Sequence, residues 1–263
     1  MASGDLTSTQ LPTQTSPSTF FDGVDDDVQL PTSNFLSLQN FTIEMWILPL
    51  NMNGATNMGF FSMNTASSLK AHCFKWNGNN NIYFRTINSA VVQHDTKVLY
   101  STAGIIDNAW NHIAFVYDGV KKYIYVNGVE AASDAYTETL LDEKGVNFIG
   151  STASATYFMR GFIRHVKLYS RGLTAAEILS TYTKPQNYQG LLCKWNLETD
   201  YVDEINALNG TNDGTIQVGQ TAFDDLQAAI NTTNLAATTD KIHIIPIHGR
   251  DKSLWAWKVA RTV

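Results

Sequence analysis

Two consecutive turn signals constrain this chain most. His112-Ile113-Ala114-Phe115-Val116-Tyr117 runs into Asp118-Gly119, and Lys122-Tyr123-Ile124-Tyr125-Val126 runs into Asn127-Gly128. Asn-Gly is the strongest short-range hairpin signal, because both residues tolerate the positive φ of a type I′ turn. Apolar runs flanking such turns are antiparallel strands, and several short strands joined this way close into a sandwich or jelly roll. Phe41-Thr42-Ile43-Glu44-Met45-Trp46-Ile47 alternates with period two, placing Phe41, Ile43, Met45 and Ile47 on one face. Ile82–Ile87, Gly161–Tyr169 and Leu191–Leu197 read as further strands, and Lys241–His248 with Ser253–Val263 as a terminal pair in which Trp255, Trp257 and Val259 share a face. Thr174 and Glu177 make a capping box for a short helix to about Tyr182, stopped by Pro185. Ala222–Asn231 reads as a second helix.

The length, 263 residues, suits one large all-β unit with a core that needs neither disulfide nor metal. Charged residues are 16% of the chain, below the usual share of about 25%, which excludes a highly charged disordered protein. The net charge of -6 argues against a nucleic-acid partner, because phosphate neutralisation calls for a basic excess. No apolar window is long enough for a membrane span. The first residues have neither a basic region nor an apolar run, so no secretory signal is expected. Residues 1–19, rich in Ser, Thr, Gln and Pro, read as an extended N-terminal arm. The plain reading of the arm is a linker; the sharper one is an arm docked on a neighbouring subunit.

A set of ordered motifs identifies a family. Phe21-Asp22-Gly23-Val24-Asp25-Asp26-Asp27-Val28, Phe41–Leu48, Trp110–Gly119, Tyr123–Gly128, Ile149-Gly150-Ser151, and Gly161-Phe162-Ile163 through Arg171-Gly172-Leu173-Thr174 with Glu177-Ile178 resemble, in that order, the laminin-G-like domains of the concanavalin-A-like superfamily. The resemblance spans about residues 20–182. It implies an all-β, concanavalin-A-like antiparallel β-sandwich (jelly roll), with one or two short helices and extended terminal arms. Phe41, Trp46, Trp110 and Phe115 would then dominate its core. Leu191–Glu198 and Asn212–Ile216, an echo over residues 190–217, resemble a segment that ordinarily precedes the Phe-Asp-Gly motif. A circular permutation is therefore expected, with a decayed second repeat as the alternative. The division read from these motifs is an arm (1–19), a sandwich (20–220) and a C-terminal helix and strand-pair extension (221–263).

Related hydrolases place catalytic carboxylates as Glu-x-Asp-x-Glu on one strand. The nearest run here, Glu198-Thr199-Asp200, has Val202 at the third position. Glu198, Asp200, Asp203 and Glu204 therefore read as a solvated loop, and no catalytic residue is assigned. Asp22, Asp25 and Asp26 are the candidates for a structural Ca²⁺, a cation that takes several oxygen ligands. Where the resemblance implies an acidic pair on the closing strand, this chain has Arg164 and His165, so no cofactor is expected. The cluster reads as solvated or salt-bridged, with Arg164 as one available partner for an Asp. His112 reads as a satisfied structural residue, and Cys73 and Cys193 as free, partly buried thiols.

Trp76, Asn77 and Asn79 combine an aromatic platform with planar amides, the composition of a glycan-binding loop, although a strand end and a turn is the plainer explanation. Three function classes follow. The first is a non-catalytic structural or attachment module on a large assembly, a virion surface above all, with protein subunits as partners through arm and tail and cell-surface glycan as a further partner. The second is a secreted lectin or adhesin. The third is a glycoside hydrolase, which the missing carboxylate motif disfavours.

Overall fold

The computed structural model describes residues 17–32, 38–52, 57–64, 69–142, 145–152, 157–184, 189–214, 216–220, 242–248 and 255–261. The chain forms two units, Met1–Thr221 and Ala222–Val263. In chain order the elements are β1 (Ser18–Asp22), β2 (Asp27–Leu30), β3 (Phe41–Pro49), β4 (Met58–Asn64), β5 (Leu69–Trp76), β6 (Asn81–Ile87), β7 (Gln93–Leu99) and α1 (Tyr100–Ala103). They continue with β8 (Asn111–Tyr117), β9 (Lys121–Val126), β10 (Val129–Ala135), β11 (Asn147–Ile149), β12 (Arg160–Tyr169), α2 (Ala175–Thr183), β13 (Leu191–Trp195), β14 (Thr211–Asp213), β15 (Gln217–Gln220), β16 (Ile242–His248) and β17 (Trp255–Arg261).

The first unit is a sandwich of two antiparallel sheets. One runs β10-β9-β8-β3-β12-β1-β15 with β13 also on β12; the other runs β14-β2-β11-β4-β5-β6-β7. The Asn127-Gly128 turn is built as its sequence requires: Asn127 has φ 51 and Gly128 φ 80, and they join β9 to β10. A side chain at Gly128 would also meet Leu179 Cδ1 at 2.9 Å, so this turn must be bare for α2 to lie against it.

The core follows the period-two pattern. Phe41, Ile43, Met45 and Ile47 are all buried between the sheets. Aromatic rings cross the interface: Phe41 meets Phe84 at 5.9 Å, and Phe115 meets Phe84 at 5.7 Å and Phe60 at 6.4 Å. Such rings bury large apolar areas and add edge or offset contacts beyond them. Two expected core residues are placed differently. Trp110 is half-buried, just before β8, with Phe162 at 6.5 Å. Trp46 is buried on the opposite face of β3, stacked on Tyr182 and edge-on to His112. The reason is α2, which covers that side and leaves β3 buried on both faces.

Under α2 lies a buried polar network. Lys167 donates to Glu44 Oε1 at 2.8 Å, Tyr169 to the same oxygen at 3.0 Å, and Thr181 of α2 to Oε2 at 2.7 Å. His112 Nε2 stands 3.5 Å from Oε2. Burial alone would raise the Glu44 carboxyl, but the Lys167 charge with His112 outweighs it and holds the group far below the usual carboxylate range. His112 is structural as expected, yet its Nδ1 is buried without a hydrogen-bond partner. The helix itself carries the expected capping box, with Thr174 accepting from Glu177 N–H and Glu177 accepting from Thr174 N–H.

A buried lysine ties the two sheets together. Lys122 of β9 donates across the sandwich to Phe84 O (3.0 Å) and Thr86 Oγ1 (3.0 Å) of β6 and to His94 O (2.8 Å) of β7.

The tail enters both sheets. β13 pairs with the C-terminal half of β12, β14 with β2, and β15 with β1. Trp195 is fully buried, its indole N–H donating to Leu208 O at 2.9 Å. Ser18 and Thr19, assigned to the arm, already pair in β1, because Thr19 lies opposite Ile163 and donates to Leu197 O. The rest of the arm, residues 1–16, and the helix expected at Ala222–Asn231 lie outside the described residues. In the second unit β16 and β17 form an antiparallel pair, with Ile244 opposite Val259 and Pro246 opposite Trp257.

Two outcomes follow. Glu44→Ala leaves Lys167 charged and buried without its partner, so urea unfolding should show a loss of about 3 kcal/mol or more. Burial pushes Lys122 down to about 7, so the folded state holds fewer protons than the unfolded one between pH 7 and the ordinary lysine range. Lys122 therefore contributes stability at high pH that is lost as the pH falls toward 7. Lys122→Met should flatten the rise of melting temperature between pH 7 and 9.5 relative to the wild type.

Candidate functional site

Trp76 closes β5, and its indole is 41% exposed at the rim of the second sheet. Residues 77–80 form the turn to β6, with Asn80 at φ 55. The three residues expected to make a glycan loop are therefore adjacent, and the Asn79 amide is engaged at both ends. Asn79 Nδ2 donates to the Tyr83 hydroxyl at 2.7 Å, and its Oδ1 accepts from Asn81 N–H at 3.1 Å. Asn77 is exposed, and its backbone N–H donates to Asn57 Oδ1 at 2.8 Å.

Trp76 is the exposed end of a longer aromatic row on the outer face of this sheet. It meets Tyr83 edge-on at 6.0 Å, Tyr83 stacks on Phe74 at 5.0 Å with 6° between planes, and Phe74 meets Tyr157 at 5.4 Å. Cations cover the row: Arg85 lies 5.1 Å from the Phe74 centroid and Lys97 5.9 Å from that of Tyr83. Arg85 is held there by a two-pronged pair with Asp95 at 2.8 and 2.9 Å. Sequence reasoning missed Tyr83, Arg85, Asp95 and Lys97. Alternation within β6 and β7 was the available signal, but only the register, Tyr83 opposite Lys97 and Arg85 opposite Asp95, brings them together.

The structure does bring Asp22, Asp25 and Asp26 together, with one carboxylate oxygen from each within 4.8 Å of the others. Two of their six oxygens already serve the backbone. Asp22 Oδ1 accepts from Val24 and Asp25 N–H, and Asp26 Oδ2 accepts from Asp22 N–H. Neighbouring Asp27 is pushed up to about 6, chiefly by burial and further by Asp213 and Asp26, against a Ser151 hydrogen bond of 2.6 Å. Three carboxylates offer Ca²⁺ only part of the six to eight oxygens it takes.

Arg164 does not pair with this cluster. It pairs with Glu198, and His165 Nε2 lies 3.1 Å from the same Glu198 oxygen. A register shift in β12 explains the geometry: His165 sits at φ 52, which turns consecutive side chains toward one carboxylate. Burial and the Arg164 charge push the His165 imidazole down to about 3, so it is neutral. The reading of Glu198 to Glu204 as a solvated loop is accordingly corrected. Asp203 is buried, accepting from the N–H groups of Lys194, Ile205, Asn206 and Leu208 at 2.9–3.1 Å. Glu204 pairs with Lys194 at 2.7 Å, while Asp200 stays exposed. Cys73 and Cys193 are free thiols, both buried and both pushed up by burial.

Comparison with known proteins agrees with this architecture. The sequence profile of a family in the concanavalin A-like lectin/glucanases superfamily matches residues 22–179. Among solved structures, a Bacteroides ovatus protein provisionally described as carbohydrate binding superposes with a TM-score of 0.57 at 16% identity, over 77% of this chain and 60% of its own. This chain thus spans less than two thirds of that protein. A heptameric SAP-like pentraxin from Limulus polyphemus superposes with a TM-score of 0.54 at 12% identity, over 80% of this chain and 98% of its own. Domains LG4-5 of mouse laminin alpha1 align at 0.48 and 14% identity, over 66% of this chain and 45% of theirs. A search of curated proteins found no significant match. Such low identities carry the fold alone, but the matched profile covers more than half of the sequence. The chain belongs to the laminin-G-like family of the concanavalin A-like lectin/glucanase superfamily.

Proposed function

We propose that this chain is a non-catalytic carbohydrate-binding and attachment module on the exterior of a large assembly, a virion surface being the setting, as a capsid decoration or fibre protein. The observation that carries the binding part is Trp76, a large exposed indole backed by a rigid aromatic row and bordered by Asn77. An aromatic face beside planar polar groups suits a sugar ring, which has apolar faces and hydroxyl edges. The description of one fold neighbour, provisionally carbohydrate binding, supports the same reading.

The reading as a non-enzyme rests on the carboxylates around β13. Glu198, Asp203 and Glu204 are engaged with Arg164, with backbone amides and with Lys194, which leaves no adjacent acid–base pair there. The assembly part rests on residues 1–16 and on the second unit, which fall outside the family match. We assign to them the contacts with neighbouring subunits, by strand addition or groove filling across a symmetric interface. We also infer a circular permutation, in which β13, β14 and β15 supply strands that precede the Phe-Asp-Gly motif in relatives. No helix among the described residues is long and apolar enough to cross a membrane. A secreted lectin or adhesin at a cell surface is the second reading, favoured by Trp76 without the assembly.

A glycan array tests the binding part. Trp76→Ala should lower the signal at least tenfold without changing the melting temperature, and hydrolysis of an arrayed glycan would instead establish an enzyme. Native mass spectrometry should show an oligomer, and a monomer would favour the secreted reading. The module is also proposed to work without a resident metal, because Asp22 Oδ1 and Asp26 Oδ2 already accept from backbone N–H groups and three carboxylates supply only part of a Ca²⁺ shell. Chelator and Ca²⁺ should therefore leave the melting temperature within about 2 °C of each other, whereas each 1 kcal/mol of binding would shift it by roughly 2–4 °C in a unit this size.

A further inference from the structure

The outer face of the second sheet extends well beyond the Trp76 turn. Register sets three rows across β5, β6 and β7: Trp76-Asn81-Leu99, Phe74-Tyr83-Lys97 and His72-Arg85-Asp95. Gln93 continues the line on β7, two residues before Asp95, and its amide donates to Asp95 Oδ2 at 3.0 Å. Leu99, Lys97 and Gln93 are exposed, and the Arg85–Asp95 pair is about one-fifth exposed, at 23% and 19%. From Leu99 to Gln93 the solvent side of this strand runs about 20 Å, at ~3.3 Å per residue.

The chemistry along this line is that of a hydroxyl-binding surface. Trp76 gives an apolar ring face at one end. Trp76 and Lys97 flank the same Tyr83 ring, at 6.0 and 5.9 Å from its centroid. Lys97 then offers donors, and Gln93, its amide anchored on Asp95, offers its carbonyl as acceptor. Donors and an acceptor side by side are what sugar hydroxyls, each donor and acceptor at once, can satisfy. Arg85 and Asp95 neutralise one another, so Lys97 is the one uncompensated charge in the row, on a chain of net charge -6. That balance favours an uncharged ligand over a polyanion.

We infer that the outer face of β5–β7 is a binding strip for a linear, neutral oligosaccharide longer than a disaccharide, stacked on Trp76 and hydrogen-bonded through Lys97 and Gln93. This rests on the proposed carbohydrate-binding function and moves its polar contacts from the turn to β7. Asn79 lies outside the strip, because both ends of its amide are already bonded to Tyr83 and Asn81.

The experiment is isothermal titration of the full chain with cellohexaose, xylohexaose, arabinohexaose, the matching monosaccharides and a heparin-derived hexasaccharide. The variants are Trp76→Ala, Lys97→Ala, Gln93→Ala and, on β10 of the other sheet opposite Tyr125, Glu130→Ala. One neutral hexaose should bind at least tenfold more tightly than its monosaccharide. Lys97→Ala and Gln93→Ala should each weaken it three- to tenfold at unchanged melting temperature, and Glu130→Ala should have no effect. If Trp76→Ala abolishes binding while both β7 variants bind like the wild type, the strip is overturned and the carbohydrate-binding reading stands. Tighter binding of the heparin fragment than of every neutral hexaose overturns the neutral-ligand assignment. Absence of binding to the whole panel overturns the strip and the carbohydrate-binding reading together.

Discussion

Glu44 is the residue on which the first sheet depends. A carboxylate in the middle of a central strand, buried on both sides, is tolerable only if every oxygen is paired. Lys167 and Tyr169 from the neighbouring strand and Thr181 from α2 supply those partners. The same contacts fix where α2 must lie, since Thr181 reaches the carboxylate only if the helix crosses this strand. The bare Gly128 turn then receives Leu179, and Trp46 and His112 pack against Tyr182. One buried charge thus orders a helix, a turn and an aromatic cluster on the face turned away from the other sheet.

With the outer face of the first sheet closed by α2, the outer face of the second carries the exposed chemistry. The two faces use aromatic residues differently. Under the helix, rings pack around an ion network. On the second sheet, Phe74 and Tyr83 are buried beneath Arg85, Lys97 and Tyr157, and the row reaches solvent at Trp76. Lys122 joins the sheets from inside, so the strands that carry this row, β6 and β7, are tethered to the first sheet through backbone carbonyls. A surface held from behind in this way is preorganised, which lowers the ordering cost of binding.

The strands, both Gly-containing turns and the capped helix were legible because each depends on neighbours in sequence: alternation, positive-φ residues, and a Thr three positions before a Glu. The two misplaced tryptophans show the limit. Trp46 alternates correctly with Ile47, but whether the face opposite the core is wet or covered depends on a helix some 130 positions later. Arg164 stood as one available partner for an otherwise solvated Asp cluster, since it replaces an acidic residue of the family pattern. The register shift at His165 turned it toward Glu198 instead, and a single residue's backbone angle of that kind leaves no trace in composition. Asp203 read as solvated because Asp in an Asn- and Gly-rich loop usually is, yet four backbone amides converge on it.

The order of residues specifies an antiparallel sandwich of this family, its hairpins and its helix, because those follow from local periodicity and turn chemistry. It also singled out Trp76, since a tryptophan at a strand end before an Asn-Gly-rich turn is conspicuous. Only the tertiary structure decided what stands beside Trp76. Tyr83 and Lys97 lie 7 and 21 positions away in the chain and become neighbours through strand register, which is a property of pairing and not of any one segment. Pairing also turned the lone aromatic of the turn into the exposed end of a charged and aromatic face.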